Sequence, residues 1–187
     1  LKPAFFRWPG GCVVEGITLD NRFEWKKTLG DPAARPGEYS TWGYRCSYGF
    51  GYYEMLQFCE DIGAKAMFVC NVGLGCQFRM GDACGEHDID FYIDDCLDAI
   101  EYALGDESTE WGARRVADGH PAPFPLQYVE IGNENWGAEY DRRFDIFYKT
   151  IKEKYPQLTL IYNEMPQRDG ASQITKTDMI DPHWYVD

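Results

Sequence analysis

The chain has 187 residues, of which 16% are aromatic, so it is long enough to bury a sizeable core and too rich in aromatic side chains for an intrinsically disordered protein. Its 18 basic and 31 acidic residues give a net charge of -13, which argues against a protein that binds nucleic acid or an anionic membrane. No run of about 18 apolar residues is present, so the sequence predicts no transmembrane helix.

The first predicted element is a strand over residues 4–9, AFFRWP, which Pro9 and two glycines bring to an end. About forty residues rich in Gly, Pro, Trp and Tyr follow without a helical or strand period, and so long a loop in a compact domain is usually functional. Arg7 lies at the end of the strand. Two roles are possible for it. It could form an ion pair within the protein, or it could hydrogen-bond ligand hydroxyls or hold a neighbouring carboxylate in place.

The next elements alternate between helix and strand. Apolar residues recur every three or four positions over residues 52–62, which predicts a helix that Gly63 caps. The continuous apolar run KAMFVCNVG, residues 65–73, predicts a fully buried parallel strand. After a loop rich in Gly and Cys, residues 88–105 predict a second amphipathic helix, with aspartates near its start where the helix dipole favours them.

The second half continues the alternation. Residues 106–125 are polar and Pro-rich and predict a connection. Strands are predicted for LQYVEIGNE at 126–134, LTLIYNE at 158–164 and MIDPHWYV at 179–186. A helix marked by Phe144 and Ile151 lies between the first two strands, and one short helix is an option between the last two.

This order predicts parallel strands joined by right-handed crossovers, in an α/β fold. An open doubly wound sheet and part of a (β/α)8 TIM barrel both fit it. Polar residues cluster where successive strands end, which is the end of a barrel that carries the chemistry. Because a complete barrel typically has about 250 residues, the sequence predicts a barrel fragment with strands missing at one or both ends.

Seven cysteines are present, so at least one thiol stays unpaired if all pairing is internal. Two of them occupy apolar helix positions and are predicted to pack as small core residues, namely Cys59 and Cys96. Cys76, Cys84 and His87 resemble a metal site, although no fourth ligand is evident. A loop disulfide between two of Cys70, Cys76 and Cys84 is the better prediction, and it would need an oxidising compartment.

Glu134 is the candidate for catalysis, because it follows Asn133 where a buried strand should stop. A solvated loop glutamate is the alternative interpretation. A carboxyl group walled by aromatic side chains such as Trp136 would be desolvated, and its pKa would rise until it holds a proton near neutral pH. A general acid needs that property to protonate a leaving oxygen, while Asn133 could hydrogen-bond a substrate hydroxyl.

His183 and Tyr185 alternate with Trp184 along the last predicted strand, so we expect them on one face, away from Trp184. In a barrel mouth they would orient a carboxylate and line a sugar pocket. A buried histidine bonded to backbone is the alternative. Four aromatic residues of the long loop could stack on sugar rings or pack into the core: Trp25, Trp42, Tyr44 and Tyr48.

Seven segments, taken together and in order, resemble the catalytic barrel of family 51 glycoside hydrolases, the α-L-arabinofuranosidases. They are RWPGGCVVEG, NRFEWKKTLG, RPGEYSTWGY, GFGYYEMLQFCEDIGA, FVCNVG, EIGNENWG and DPHWY. The resemblance implies a (β/α)8 barrel with an accompanying β-sandwich domain. It also implies a retaining mechanism with two glutamates that needs no metal and no cofactor. Glu134, after Asn133, would be the general acid/base at the end of barrel strand 4.

The same resemblance makes the five predicted strands barrel strands 2 to 6, and it makes Arg7, Asn133, His183 and Tyr185 active-site residues that bind the substrate. Cys12 stands where the family often has Asn, a departure from its pattern. The nucleophile belongs at the end of strand 7, which the resemblance puts beyond the last residue. The chain is therefore expected to be a single barrel fragment that lacks strands 1, 7 and 8 and the sandwich domain.

The implied substrate is an arabinose-containing oligosaccharide or polysaccharide that loses terminal non-reducing α-L-arabinofuranosyl residues. Neither nucleic acid nor a membrane is expected as a partner, and a homo-oligomer is an option for the full-length protein. A secreted or periplasmic location is favoured over a cytoplasmic one. Two alternatives stay open: another glycosidase of the same barrel clan, xylan-active or otherwise exo-acting, and a non-catalytic carbohydrate-binding protein on a decayed barrel.

Overall fold

The computed structural model describes residues 2–166, 168 and 172–186. In chain order its strands and α-helices are β1 (Phe5–Trp8), β2 (Glu38–Tyr39), β3 (Arg45–Cys46), α1 (Tyr52–Ile62), β4 (Lys65–Cys70), α2 (Ile89–Leu104), α3 (Glu110–Ala117), β5 (Leu126–Ile131), α4 (Ala138–Lys154), β6 (Thr159–Glu164) and β7 (Met179–Pro182). Short 3-10 helices lie at Gly11–Val13, Leu19–Asn21, Trp25–Thr28, Pro32–Ala34 and Glu86–Asp88.

Five strands form one sheet in the order β1-β4-β5-β6-β7, and every neighbouring pair is parallel. The prediction of parallel strands in sheet order is therefore confirmed. The sheet curls as half of a barrel, with α-helices between β1 and β4, between β4 and β5, and between β5 and β6. Strands β2 and β3 form a separate antiparallel pair within the long loop after β1. Two-residue strands are too short to show a period, so the sequence pattern did not predict them.

The apolar core lies between the sheet and the helices that cover it. Only Lys65 of the six residues in β4 is exposed, as predicted for a strand covered on both faces. Helix α1 buries the side chains of Tyr52, Met55 and Leu56 against the sheet. It ends at Gly63, whose φ of 71° is the left-handed conformation of a helix C-cap, as the sequence predicted.

Helix α3 lies in the stretch that the sequence predicted to be a connection, so that prediction is wrong. Thr109 caps the helix, because its hydroxyl accepts from a backbone N–H of the first turn at 3.1 Å. The helix is anchored by the buried Arg115, which donates to the backbone carbonyls of Tyr102 (2.9 Å), His120 (3.0 Å) and Pro121 (3.1 Å). The helix has only 8 residues and its buried positions are Gly112 and Arg115, so it offers no run of buried apolar residues from which a helical period could be recognised.

Four strands end earlier than predicted, namely β1, β4, β5 and β7, and the ends of β5 and β7 position the site. Strand β5 ends three residues before Glu134, so this residue lies in the following turn and not at the strand end itself. Strand β7 ends at Pro182, because its neighbour β6 ends at the paired residue Glu164 and offers no further ladder partner. His183 and Tyr185 therefore follow the strand and do not belong to it.

Among the described residues, no helix is both long and apolar enough to cross a membrane. The stretch between β6 and β7 contains no helix at positions 165, 166, 168 and 172–178. The sequence also allowed one short helix in this stretch. The other positions at which it could lie, 167 and 169–171, are outside the described residues.

Candidate active site

The candidate site lies at the carboxyl ends of the parallel strands, around the turn that follows β5. Gly132 has a φ of 84° and Glu134 a φ of 48°, a left-handed conformation that is uncommon for a residue with a side chain. The side-chain oxygen of Asn135 accepts from the backbone N–H of Asn133 at 3.1 Å and closes the turn. The turn thus fixes the direction of the Glu134 side chain through backbone geometry.

Glu134 is 7% exposed, and two donors meet at the Oε1 atom of its carboxylate. His183 Nδ1 lies 3.0 Å away, and the Tyr185 hydroxyl donates to the same oxygen. The hydrogen bond from His183 lowers the pKa of Glu134, burial opposes this, and Tyr185 lowers the pKa further. The sequence predicted that aromatic side chains around Glu134 raise its pKa, and this prediction is wrong for this chain. The hydrogen bond from His183 outweighs the effect of burial, and the sequence pattern did not show that His183 would contact Glu134.

His183 is held between two carboxylates. Its Nε2 atom lies 3.2 Å from Asp181 Oδ2, while Nδ1 faces Glu134. The hydrogen bond to Asp181, followed by that to Glu134, raises the pKa of His183 to about 9. The ring is therefore an imidazolium at neutral pH, which is the form that donates from both nitrogens. The described contacts of the ring are with carboxylates. The alternative interpretation, a buried histidine bonded to backbone, therefore does not describe His183.

Arg7 lies in β1 beside the site and forms an ion pair. Its guanidinium donates twice to the buried carboxylate of Glu130, once at 2.9 Å to Oε1. It also donates to the side-chain oxygen of Asn133 at 2.8 Å. Burial opposes the charge on Arg7, but the hydrogen bond and the charge of Glu130 raise the net pKa of the guanidinium. The pair thus supports Asn133, the residue directly before Glu134.

Glu15 is a buried residue of the site that the sequence analysis did not identify. It is 1% exposed and accepts from the side-chain amides of Asn133 at 3.3 Å and Asn135 at 3.0 Å. Burial, followed by the charge of Cys76, raises the pKa of Glu15 well above its usual range. The available signal was an acidic residue within CVVEGI, since a charged residue among apolar ones indicates burial with partners.

A pocket of about 370 Å³ opens over Glu134, a volume typical of small-ligand sites. On one side, the rings of Phe78 and Trp136 meet edge to face with centroids 5.0 Å apart. The Arg168 guanidinium lies over both rings, 5.3 Å and 5.9 Å from their centroids. The described residues that line the pocket are Cys12, Phe78, Glu134, Met165, Arg168 and Tyr185.

All seven cysteines lie in the described part of the chain and all are free thiols. The loop disulfide expected among Cys70, Cys76 and Cys84 is therefore not formed. The two cysteines predicted for the core are buried, namely Cys59 and Cys96.

The metal arrangement expected from Cys76, Cys84 and His87 is not formed either. Neither Cys84 nor His87 belongs to a group of possible metal ligands among the described residues. The Cys84 thiol instead accepts from the Arg143 guanidinium at 2.9 Å, while Cys76 faces Cys12.

The four aromatic residues of the long loop divide into two pairs. Trp25 and Tyr48 are buried and pack in the core, whereas Trp42 and Tyr44 are exposed. None of the four is among the described lining residues of the pocket over Glu134. Trp25 and Tyr48 thus pack in the core, and the structure supports a sugar contact at this pocket for none of the four residues.

Three comparisons relate the chain to known proteins. A sequence profile described as "Alpha-L-arabinofuranosidase 1 domain" matches residues 1–187. The chain is 41% identical to "Alpha-L-arabinofuranosidase 1" of Arabidopsis thaliana over 190 residues, 100% of this chain and 27% of that protein. It is 35% identical to the "Extracellular exo-alpha-L-arabinofuranosidase" of Streptomyces chartreusis over 208 residues, 99% of this chain and 25% of that protein.

Among solved structures, the arabinose-bound MgGH51 α-L-arabinofuranosidase is similar to this chain with a TM-score of 0.83. The sequence identity is 34%, and the match covers 92% of this chain and 28% of that one. The chain therefore spans only about a quarter of the length of the relatives it matches, at 27% and 25%.

Proposed function

Because the chain belongs to the family 51 α-L-arabinofuranosidases and matches their domain over residues 1–187, we propose that it supplies part of the catalytic barrel of a retaining exo-glycosidase. The protein that carries it hydrolyses terminal non-reducing α-L-arabinofuranosyl residues of arabinose-containing oligosaccharides or polysaccharides. Its five parallel strands are barrel strands 2 to 6. Strands 1, 7 and 8 and a β-sandwich domain complete the enzyme.

The setting of Glu134 is the observation that carries this proposal. Its Oε1 atom is held by His183 and Tyr185. Its Oε2 atom makes a long contact with the Cys12 thiol, at 4.0 Å, on the side where the pocket opens. One carboxylate oxygen is thus anchored and the other is available to a ligand, which is the arrangement that a proton donor and acceptor needs.

The proton that Glu134 gives has to be present at the working pH, although the pKa of Glu134 is lowered in this chain. Glu134 shares a hydrogen bond with His183, whose pKa is raised to about 9, so the pair holds a proton at neutral pH. In retaining glycosidases the nucleophilic carboxylate stands about 5 Å from the acid. Such a like charge raises the pKa of Glu134 and favours its protonated form.

The reaction then has two steps. In the first, the nucleophile on strand 7 attacks the anomeric carbon, the glycosidic C–O bond breaks, and Glu134 gives its proton to the leaving oxygen. In the second, Glu134 takes a proton from water as the water oxygen attacks the anomeric carbon and the nucleophile leaves as a carboxylate. Two displacements at one carbon retain its configuration.

The other site residues are assigned by their positions. Tyr185 lines the pocket and contacts the furanose, and His183 orients Glu134. The Arg7 side chain is 24% exposed, so it can meet a sugar hydroxyl in addition to Glu130. Asn133 is fully buried, so its role as a substrate contact stays a prediction, and its burial favours a role in orienting the Glu134 turn.

Hydrolysis of aryl glycosides by the full-length protein tests the proposal. We expect 4-nitrophenol to be released from the α-L-arabinofuranoside at least about 100-fold faster, by kcat/KM, than from the β-D-xylopyranoside. Proton NMR should show that the first arabinose formed has retained its anomeric configuration. Preference for the xyloside would favour another glycosidase of the clan, and inverted product would exclude the retaining mechanism. Binding of arabino-oligosaccharides without any turnover would favour the non-catalytic alternative.

Location and partners follow from the same proposal. An arabinose-containing glycan is the expected partner, and a location outside the cytoplasm is favoured because one relative is named extracellular. Fractionation of the source cells with an antibody against this chain measures the location directly. A purely cytoplasmic signal would contradict it.

A further inference from the structure

Two thiols and a buried carboxyl group converge beside the pocket. The Sγ atoms of Cys12 and Cys76 and a carboxyl oxygen of Glu15 all lie within 4.8 Å of one another. We propose that these three side chains form a binding site for a soft divalent cation, Zn²⁺ or Cd²⁺, and that occupancy of this site inhibits the enzyme. The cation would be an inhibitor and not a cofactor, since the proposed hydrolysis uses only carboxylates.

The donor set suits such a cation. Thiolate sulfur and carboxylate oxygen bind Zn²⁺ at about 2.3 Å and about 2.0–2.2 Å, in a tetrahedral arrangement. Tetrahedral ligands at these bond lengths stand about 3.5–4 Å apart. The separations within the cluster, up to 4.8 Å, therefore need to contract by only about 1 Å, which side-chain rotations can supply.

The fold brings these ligands together independently of any ion, because two loops are tied to each other. The side-chain amide of Asn71 donates to the carbonyls of Val14 and Leu74, both at 3.1 Å. The backbone N–H of Cys76 donates to the carbonyl of Gly16 at 3.4 Å. The loop after β1 and the loop after β4 are thus joined on both sides of the cluster, which limits the reorganisation that binding requires.

The chemistry of the donors gives the site a pH dependence. A divalent cation binds thiolate and carboxylate, so it has to displace the protons that these side chains carry, and binding should release protons and strengthen as the pH rises. Once bound, the cation neutralises charges that burial makes costly.

A route to the site exists through the pocket, since Cys12 is half-buried and lines it, whereas Cys76 and Glu15 are buried. The Cys12 thiol lies 4.0 Å from Glu134 Oε2. A cation on Cys12 therefore has Glu134 within reach for its open position. A carboxylate that ligates a metal cannot give or take the proton of the reaction, and this is the physical basis of the inhibition.

A second group of possible ligands, Glu130, Asp181 and His183, is less suited to a cation. The Arg7 guanidinium already neutralises Glu130, and the pKa of His183, raised to about 9, keeps that ring protonated. A metal would have to displace both positive charges. The thiol cluster carries no such competing cation on its ligands.

Cd²⁺ binding to the full-length protein, with a phosphine reductant to keep thiols reduced, tests the proposal. We expect Cd²⁺–thiolate charge-transfer absorption, and C12S and C76S should each weaken Cd²⁺ binding at least about 10-fold in calorimetry. C46S is the matched control, because Cys46 is another half-buried thiol that lies outside the cluster, and it should bind like the parent. Circular dichroism confirms that each variant is folded.

Unchanged Cd²⁺ affinity in folded C12S and C76S, or an equal loss in C46S, would overturn the proposal, as would parent protein without charge-transfer absorption. Zn²⁺ should also inhibit arabinoside hydrolysis reversibly, with chelator restoring the rate, and the inhibition constant should rise at least about 10-fold in C76S. Binding is read by absorption and calorimetry without any turnover. Failure of the cation site can therefore be told apart from failure of the proposed hydrolysis.

Discussion

The charge on His183 determines how Glu134 is held, and it gives the site a pH dependence. Its pKa is raised to about 9 because Asp181 and Glu134 accept hydrogen bonds from the ring. The folded protein therefore binds more protons than the unfolded chain between the ordinary histidine value of about 6.5 and about 9. The stabilisation is fully present below about pH 6.5 and is lost as the pH rises through about 9.

We expect H183N to lower the free energy of unfolding most near pH 6 and progressively less toward pH 10. Near pH 6, Glu134 and Asp181 are ionised, because the pKa of each is lowered by His183. Urea unfolding of the full-length protein at both pH values measures the difference. H87N replaces an exposed histidine and serves as control. An H183N effect that is equal at both pH values would contradict a charged His183.

Glu15 is the second residue on which the site depends, because it accepts from the side chains of both asparagines that flank Glu134. E15A would leave two buried amide donors unpaired, so we expect a loss of about 1–3 kcal/mol in unfolding free energy. Denaturant titration measures it. E107A, at an exposed loop position, should stay within about 0.5 kcal/mol of the parent. Similar losses in the two variants would show that Glu15 does not hold the turn.

The turn after β5 depends on glycine. Gly132 has a φ of 84°, and an added Cβ would lie 2.6 Å from Asn135 Oδ1 and 2.9 Å from a ring carbon of Tyr140. G132A should therefore lower stability by more than the backbone penalty of about 1–3 kcal/mol and should displace Glu134.

Gly137 supplies the matched comparison, since its φ is 91° but an added Cβ would meet nothing within 4 Å. G137A should thus show the backbone penalty alone. Thermal unfolding and kcat/KM of the two variants, side by side, separate the steric effect from the conformational one. Equal losses in both variants would mean that the contacts of Gly132 do not matter.

The elements that the sequence predicted well are those whose burial leaves a periodic pattern. Strand β4 and helix α1 were found because apolar residues fill their buried positions. Helix α3 was missed because Arg115 anchors it through backbone carbonyls, which no hydrophobic period records. The lowered pKa of Glu134 was missed for a related reason: it depends on His183, 49 residues away in the chain.

The sheet has two outer edges. Among the described residues, β1 pairs with β4 alone and β7 with β6 alone. Apolar side chains on these outer strands are exposed, with Phe5 at 47% and Ile180 at 49%. In the proposed full-length enzyme, barrel strands 1 and 7 lie against these edges, and strand 7 brings the nucleophile to Glu134.

Residues 1–187 alone should consequently be a poor glycosidase. We expect kcat on the 4-nitrophenyl α-L-arabinofuranoside to be at least about 1,000-fold below that of the full-length protein, because the proposal places the nucleophile on barrel strand 7 and not within these residues. Assay of both proteins at equal concentration measures the ratio. Comparable rates would mean that a carboxylate within these residues acts as the nucleophile, with Glu164, at the end of β6, the first to be substituted.

The role of Glu134 as general acid/base is tested most directly by E134A in the full-length protein, assayed on substrates with poor and good leaving groups. Hydrolysis of arabino-oligosaccharides should fall by about 10²–10⁴-fold, since their leaving oxygen needs a proton. Formation of the glycosyl-enzyme from an activated aryl arabinofuranoside should fall much less, and azide should restore turnover because it attacks without a base. E164A, at the end of the neighbouring strand, should show neither effect. Equal loss of activity on both substrate classes, without rescue by azide, would contradict the assignment of Glu134.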